Sequence, residues 1–226
     1  METNKYSDDF EIFWVELSTI LKSVVSTPKI FNQYRDYNEV VDLPEAANIR
    51  LNNLYNYMNA AAKTAKYLIL GEAAGPWGCR FSGIPFTGEK QIIDPNFPYK
   101  GLPSSKTFPE INIKNKTPFI SNSAKIFWEI MLPFHDKFIV WDVFPLHPHK
   151  ENDILSVRTP SKEEVNLFKN ALILIINYIK PAEIISIGRI ASEQLKSIGI
   201  KSIYVRHPSM GGKKSFSFGI NEIFNN

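Results

Sequence analysis

The chain has 226 residues, 44% of them hydrophobic and 22% charged, which is enough to bury one substantial core, and no tract is biased enough to predict disorder. A formal charge of +3 and an isoelectric point near 8.8 permit a polyanionic partner without requiring one. One cysteine, Cys79, excludes a disulfide framework and a four-cysteine zinc or iron–sulfur site within the chain, so no metal or other cofactor is expected.

The first residues, METNKYSDD, lack a basic region leading into an apolar run, and the longest apolar stretch, Ala171 to Ile176, falls far short of a membrane span. A cytoplasmic monomer with no membrane partner is the expectation. After Ser7 and Asp8, the residues Phe10, Phe13, Trp14, Leu17, Leu21 and Val24 recur at helical steps, predicting an amphipathic helix with an acidic N-terminal cap that Pro28 ends. A second helix is predicted from about Pro44 to Lys66, with Leu51, Leu54, Tyr55 and Met58 on one side. Residues 1–66 therefore read as a helical region packed on the remainder, within one domain spanning 1–226.

From Tyr67 short apolar strands alternate with helical stretches. Strands are predicted at 67–71 (YLILG), 138–144 (FIVWDVF), 184–188 (IISIG) and 203–208 (IYVRHP), and helices near 122–132, 161–179 and 189–197. This alternation predicts an α/β fold: a three-layer α/β/α sandwich around a central, mostly parallel four-stranded sheet. Ile92 to Thr117, with four prolines, reads as a long surface loop. Ligands of such folds bind beyond the carboxyl ends of the strands. Three of those ends carry unusual residues: GEAAGPWG at 71–78, Asp142 with FPLHPH at 144–149, and RHPS at 206–209.

GEAAG matches neither the dinucleotide fingerprint nor the Walker pattern. Asp142 is an acid inside an otherwise apolar strand, where a carboxylate without a partner is costly. It needs something to face.

The stretches GEAAGPWGCRFSGIPFTGE (71–89), WDVFPLHPH (141–149) and RHPSMGGKKSF (206–216), in that order and each at a strand end, resemble the uracil-DNA glycosylase superfamily over roughly residues 67–220. G-P-W-G and S-G-I-P-F are most similar to its single-strand-selective monofunctional branch. The resemblance implies a monofunctional DNA glycosylase that acts on a base flipped out of DNA, without an iron–sulfur cluster. His207 would donate to O2 of the departing base, where negative charge develops. Phe86 would stack on the base, worth roughly 1–3 kcal/mol, and a tight turn at Gly71, Ala73 and Gly75 would bring main chain against the base and sugar. Met210 would wedge into the gap that the flipped base leaves. Ser82, Ser209, Lys213 and Lys214 would lie near phosphates. Core packing for the aromatic ring and a solvated surface for the lysines are the competing readings.

Two departures from the family pattern bear on chemistry. Where many members carry Asp or Asn to position the attacking water, this chain has Ala73, which leaves Glu72 as the nearest carboxylate for that task. Where relatives carry the Asn that reads uracil, this chain has Asp142. A carboxylate cannot donate to uracil O4, so two acceptors would face each other. Cytosine offers an amine that an acid accepts from, and a protonated Asp142 would also donate to N3, or share a proton that improves the leaving group; either route predicts a raised pKa.

Gly75 stands where uracil-restricted relatives have a tyrosine that blocks C5 of the base, so a C5 substituent fits. The expected substrate is a C5-modified cytosine, hydroxymethylated or glucosylated, of the kind certain bacteriophages install in their DNA, and abasic sites in invading DNA would serve defence. The alternatives are a uracil or 5-hydroxymethyluracil glycosylase of base excision repair, and a non-catalytic DNA-binding member.

Overall fold

Runs such as YLIL and FIVWDVF are apolar on both faces and are stable only with helices on both sides. In the computed structural model, which describes residues 2–107 and 117–225, they form the centre of a three-layer α/β/α fold. The chain enters through α1 (Glu2–Ser23), a two-residue strand β1 (Ile30–Phe31) and α2 (Ala46–Ala61), then forms β2 (Tyr67–Ala73) and the short helices α3 (Cys79–Ser82) and α4 (Glu89–Ile92). Next come α5 (Asn122–Met131), β3 (Phe138–Phe144), β4 (His147–Pro148), α6 (Lys162–Leu167) and α7 (Lys169–Ile179). The chain closes with β5 (Glu183–Ile187), α8 (Arg189–Ser197), β6 (Ile203–Val205) and α9 (Lys213–Phe224).

The main sheet has the order β3-β2-β5-β6 with every pairing parallel, while β1 and β4 make a separate antiparallel pair. All seven residues of β3 are buried, so both of its faces are covered. From β2 the chain goes to β3 on one side, then returns to β5 on the other. That reversal opens a crevice at the carboxyl ends of the strands. Phe10, Phe13, Leu17 and Leu21 of α1 join the same apolar cluster as Leu68–Leu70 and Phe138–Trp141.

Several boundaries differ from those read in the sequence. The first helix already runs from Glu2, so Ser7 and Asp8 lie inside it and do not cap it. The second is shorter than predicted, ending at Ala61. The helix expected over 161–179 breaks at Phe168, which leaves helical geometry (φ −108°) and packs its ring edge-on to Phe144 at 5.5 Å. Burying that ring outweighs helical continuity. The last strand stops at Val205, leaving Arg206–Pro208 in a loop.

The 92–117 segment is only partly a surface loop; residues 108–116 lie outside the described residues. Before them, Phe97 and Tyr99 are buried, and the buried Glu89 carboxylate accepts from the amides of Ser104, Ser105 and Phe119 at 2.7–3.0 Å. One acid thus anchors both ends of the segment.

Candidate active site

Gly71 pairs with Asp142 across the β2–β3 register, so the two positions share a face of the sheet. A Cβ on Gly71 would meet Asp142 Oδ1 at 2.3 Å and Phe86 Cε2 at 2.5 Å. The glycine is therefore not a turn residue, as the sequence suggested: it sits inside β2 and leaves the space into which the acid and the aromatic ring converge. It does not itself line the cavity.

That cavity, of about 490 Å³, is bounded by Glu72, Ala73, Gly75, Trp77, Phe86, Asp142 and His207 together with Cys79, Ser121, Ser123 and the 155–158 loop. Asp142 is 2% exposed, and no described residue hydrogen-bonds its carboxyl. Burial first, and the negative charge of Glu72 second, push its pKa up to about 8. At neutral pH it holds a proton and offers one donor and one acceptor. Glu72, half-buried, is itself raised by burial, with a bond from Thr159 acting against it.

Phe86 has a left-handed backbone (φ 53°), a strained conformation for an aromatic residue. Ser82 holds it there. Its buried hydroxyl donates to the carbonyls of Ile84 (3.2 Å) and Thr87 (2.7 Å) and accepts from the Ile84 amide at 3.0 Å. Ser82 is fully buried and has no surface to give a phosphate, which corrects the role expected for it. The Phe86 ring stacks on Phe127 (4.7 Å, 27°) and lies 6.0 Å from His207.

His207 follows β6. Its Nδ1 accepts from the Ser209 amide at 3.2 Å, with the Ser209 hydroxyl at 2.8 Å. This fixes the proton on Nε2, for which no described residue is an acceptor. Burial and then Arg206 push the ring's pKa down to about 4, so it is a neutral N–H donor at physiological pH. Ser209 is thus engaged with the imidazole instead of being held ready for a phosphate. Gly212 closes the loop over it, since a Cβ there would sit 2.0 Å from the His207 carbonyl oxygen. At the loop's apex Met210 is 93% exposed with φ 51°. Lys213 pairs with Glu129 at 2.5 Å, and Lys214 is exposed.

Three contributors have no role assigned from the sequence, although Trp77 stands in the G-P-W-G stretch. Trp77 packs on Phe119 at 5.4 Å, and Leu155 leans on the same small cluster of Val41, Phe81 and Phe119. Arg158 clamps the 150–160 loop through two bonds to Glu164, at 2.5 and 2.7 Å. His147 joins the walls: Nδ1 lies 2.7 Å from the Ala74 carbonyl and Nε2 2.8 Å from that of Ile154. Only an imidazolium donates to both, and burial opposes that form, pushing the pKa down to about 4. Its place in L-H-P-H at a strand end was the available clue. Among the described residues, no group of three His, Cys, Asp or Glu side chains is arranged to hold a metal ion.

The arrangement can stack a flat ring, bond its edge with a protonated acid, and donate to an oxygen on its far side. A family model described as the uracil DNA glycosylase superfamily matches residues 58–220. The crystal structure of wild-type Pedobacter heparinus SMUG2 is similar in fold, with a TM-score of 0.56 at 17% identity, covering 94% of this chain and 95% of that one. No curated protein matches the chain in sequence.

Proposed function

Since the chain belongs to the uracil DNA glycosylase superfamily and is thereby a DNA glycosylase, we propose that its substrate is a cytosine substituted at C5, flipped out of DNA and cut at its N-glycosidic bond. The observation that carries this reading is the buried Asp142 carboxyl, hydrogen-bonded by no described residue, in a cavity it shares with Phe86 and His207. Its acceptor oxygen takes a proton from the exocyclic amine, and its O–H donates to N3.

Ionised, the acid would meet one donor and one acceptor on either cytosine or uracil, so charge alone does not separate the two bases. The proton does. Cytosine N3 is a far stronger base than uracil O4, so an O–H at this position bonds it better. Moving that proton onto N3 as the C1′–N1 bond breaks also turns a poor anionic leaving group into a neutral one. Water adds to C1′, with Glu72 the nearest carboxylate to position it. His207 Nε2–H stabilises O2, Met210 fills the gap left in the DNA, and Lys214 lies on its phosphate side. Phage DNA rich in modified cytosine is the target that suits such an enzyme, with defence as its purpose.

A second reading is favoured by the same protonation. With the proton on the other oxygen, Asp142 bonds uracil O4 and N3–H as an asparagine does, making uracil or 5-hydroxymethyluracil the substrate. Mass analysis of bases freed from DNAs that carry each pyrimidine decides. Release from C5-modified cytosine is expected, lost in His207→Ala by about 10²-fold or more. Release confined to uracil bases would overturn the cytosine reading.

A further inference from the structure

Nothing lies within 4 Å of a Cβ built on Gly75, although Gly75 lines the cavity. A pocket that merely tolerates a C5 group cannot be selective, because one methyl in an apolar site is worth only about 10–200-fold. On either reading of Asp142, such a pocket would also attack ordinary DNA pyrimidines. Selectivity must come from a positive contact with the substituent, and the cavity has room for one: 490 Å³ is several times the volume of a pyrimidine ring.

Beside Phe86, Asp142 and His207, the cavity has walls that the base-reading groups do not account for. The 75–78 turn carries the half-buried Trp77, and Leu155 packs on the same apolar cluster. The N-terminus of α5 closes the lobe, with Ser121 Oγ 3.3 Å from a Cβ built on Gly78. The Ser121 hydroxyl accepts from the Ala124 amide at 3.0 Å, and no described residue accepts its own proton. Ser123 lines the cavity, and no described residue hydrogen-bonds its side chain. An aromatic side chain and hydroxyls whose protons no described residue accepts, lining one cavity, are chemistry that suits neither a bare methyl nor a purely apolar group.

We propose that the lobe between Trp77, Leu155 and the Ser121–Ser123 end of α5 is a subsite for a hydroxylated C5 substituent the size of one sugar. Trp77 supplies the face on which the C–H side of the sugar lies, and Ser121 and Ser123 bond its hydroxyls. This rests on the cavity being the base pocket described above, but not on which pyrimidine ring occupies it.

The test is a panel of oligonucleotides bearing an unsubstituted, a hydroxymethyl or a monosaccharide-linked hydroxymethyl C5 position, each on a cytosine and on a uracil ring. Single-turnover release is read as the ratio of sugar-bearing to hydroxymethyl base. The wild type should give a ratio above about tenfold on its preferred ring. Ser123→Ala should lower it, and Gly75→Leu, which has room and no positive φ to strain it, should bring it below one. Trp77→Ala should also collapse the ratio, and thermal melting of that variant checks that its packing on Phe119 is not needed for folding. A wild-type ratio at or below one overturns the subsite, as does a ratio that Gly75→Leu and Ser123→Ala both leave unchanged. Preference for the uracil ring with the ratio intact overturns the cytosine reading alone, so the two failures are distinguishable.

Discussion

Two buried aspartates in this chain carry opposite protonation, and the contrast separates what holds the fold from what the cavity does. Asp42 is fully buried, with Oδ1 2.6 Å from Arg50 and 2.8 Å from Arg80, and its Oδ2 accepts from Arg80 at 3.2 Å and from the Asn38 amide at 2.9 Å. Burial alone would raise its pKa, but the two guanidinium groups outweigh burial and hold it below the usual carboxylate range. Asp142 is as deeply buried, pairs with no cation among the described residues, and feels the negative charge of Glu72 instead. Identical side chains are thus an anion in one place and a neutral acid in the other, because one is met by two guanidinium groups and the other is buried beside a second carboxylate.

The largest expected effect lies at the first site. Asp42→Ala leaves Arg50 and Arg80 as buried charges without their shared anion, at a cost of about 3–5 kcal/mol. Urea denaturation at pH 7 reads that cost as a fall in the midpoint. The acid also links β1 to the cavity wall, since Arg80 belongs to α3 and lies over the Phe31 ring at 4.6 Å. A variant that melts like the wild type would show that the cluster contributes nothing net.

Asp142→Asn should act in the reverse direction. The folded pKa of about 8 lies above the unfolded value, so below about pH 4 both states are protonated and the group has no effect. Between about pH 4 and 8 the unfolded chain has released the proton and the native one has not, so stability falls by about 1.4 kcal/mol per pH unit. Above that range the penalty is constant. Removing the acid should therefore stabilise the protein by up to about 5 kcal/mol at pH 8 and by almost nothing at pH 4. Asp42 has the opposite dependence: its contribution is present above the unfolded carboxylate range and is lost as pH falls through its depressed value. Stabilisation by Asp142→Asn that persisted at pH 4 would sink this account. The same substitution should redirect base release from cytosine towards uracil, because an amide donates to O4 but cannot give up a proton to N3.

The contrast also marks what a sequence can say. The strands were legible because runs such as FIVWDVF admit few other burials, and Asp142 stood out as a polar residue in one of them. The family-like stretches led to His207, Phe86 and Gly75, which line one cavity. Register was not legible. That Gly71 opposes Asp142 follows only from how β2 and β3 align, and so its part as a gap was read as a turn. The resemblance puts Ser82 near a phosphate, whereas three hydrogen bonds to Ile84 and Thr87 keep it buried in the turn that carries Phe86. The lobe beside Gly75 was missed because turn 75–78, α5 and the 155–158 loop meet only in space.

A smaller effect is expected in the rate. Because the neutral form of Asp142 is the one that donates, kcat/KM for base release should be level at neutral pH and fall as pH rises through about 8. His207, whose pKa lies near 4, stays neutral across that range and contributes no limb to it. In Asp142→Asn the alkaline limb should disappear. A wild-type profile that stays flat to pH 10 would mean the acid form plays no part.

The finest discrimination concerns Glu72, which touches both sides of the comparison. Its negative charge adds to burial in raising Asp142, so Glu72→Gln should move the alkaline limb down in pH, by less than burial holds it up. If Glu72 also positions water, kcat should fall at every pH, and the two effects separate because one shifts the midpoint and the other the plateau. A lower plateau with an unmoved midpoint would assign Glu72 to water alone and leave burial as the whole cause of the Asp142 shift. A moved midpoint with an unchanged plateau would make Glu72 a tuning residue and put the water elsewhere. Asp42 supplies the control: its carboxyl responds to cations within 3 Å and should be indifferent to Glu72, so the acid limb of the stability curve must stay where it is in this variant.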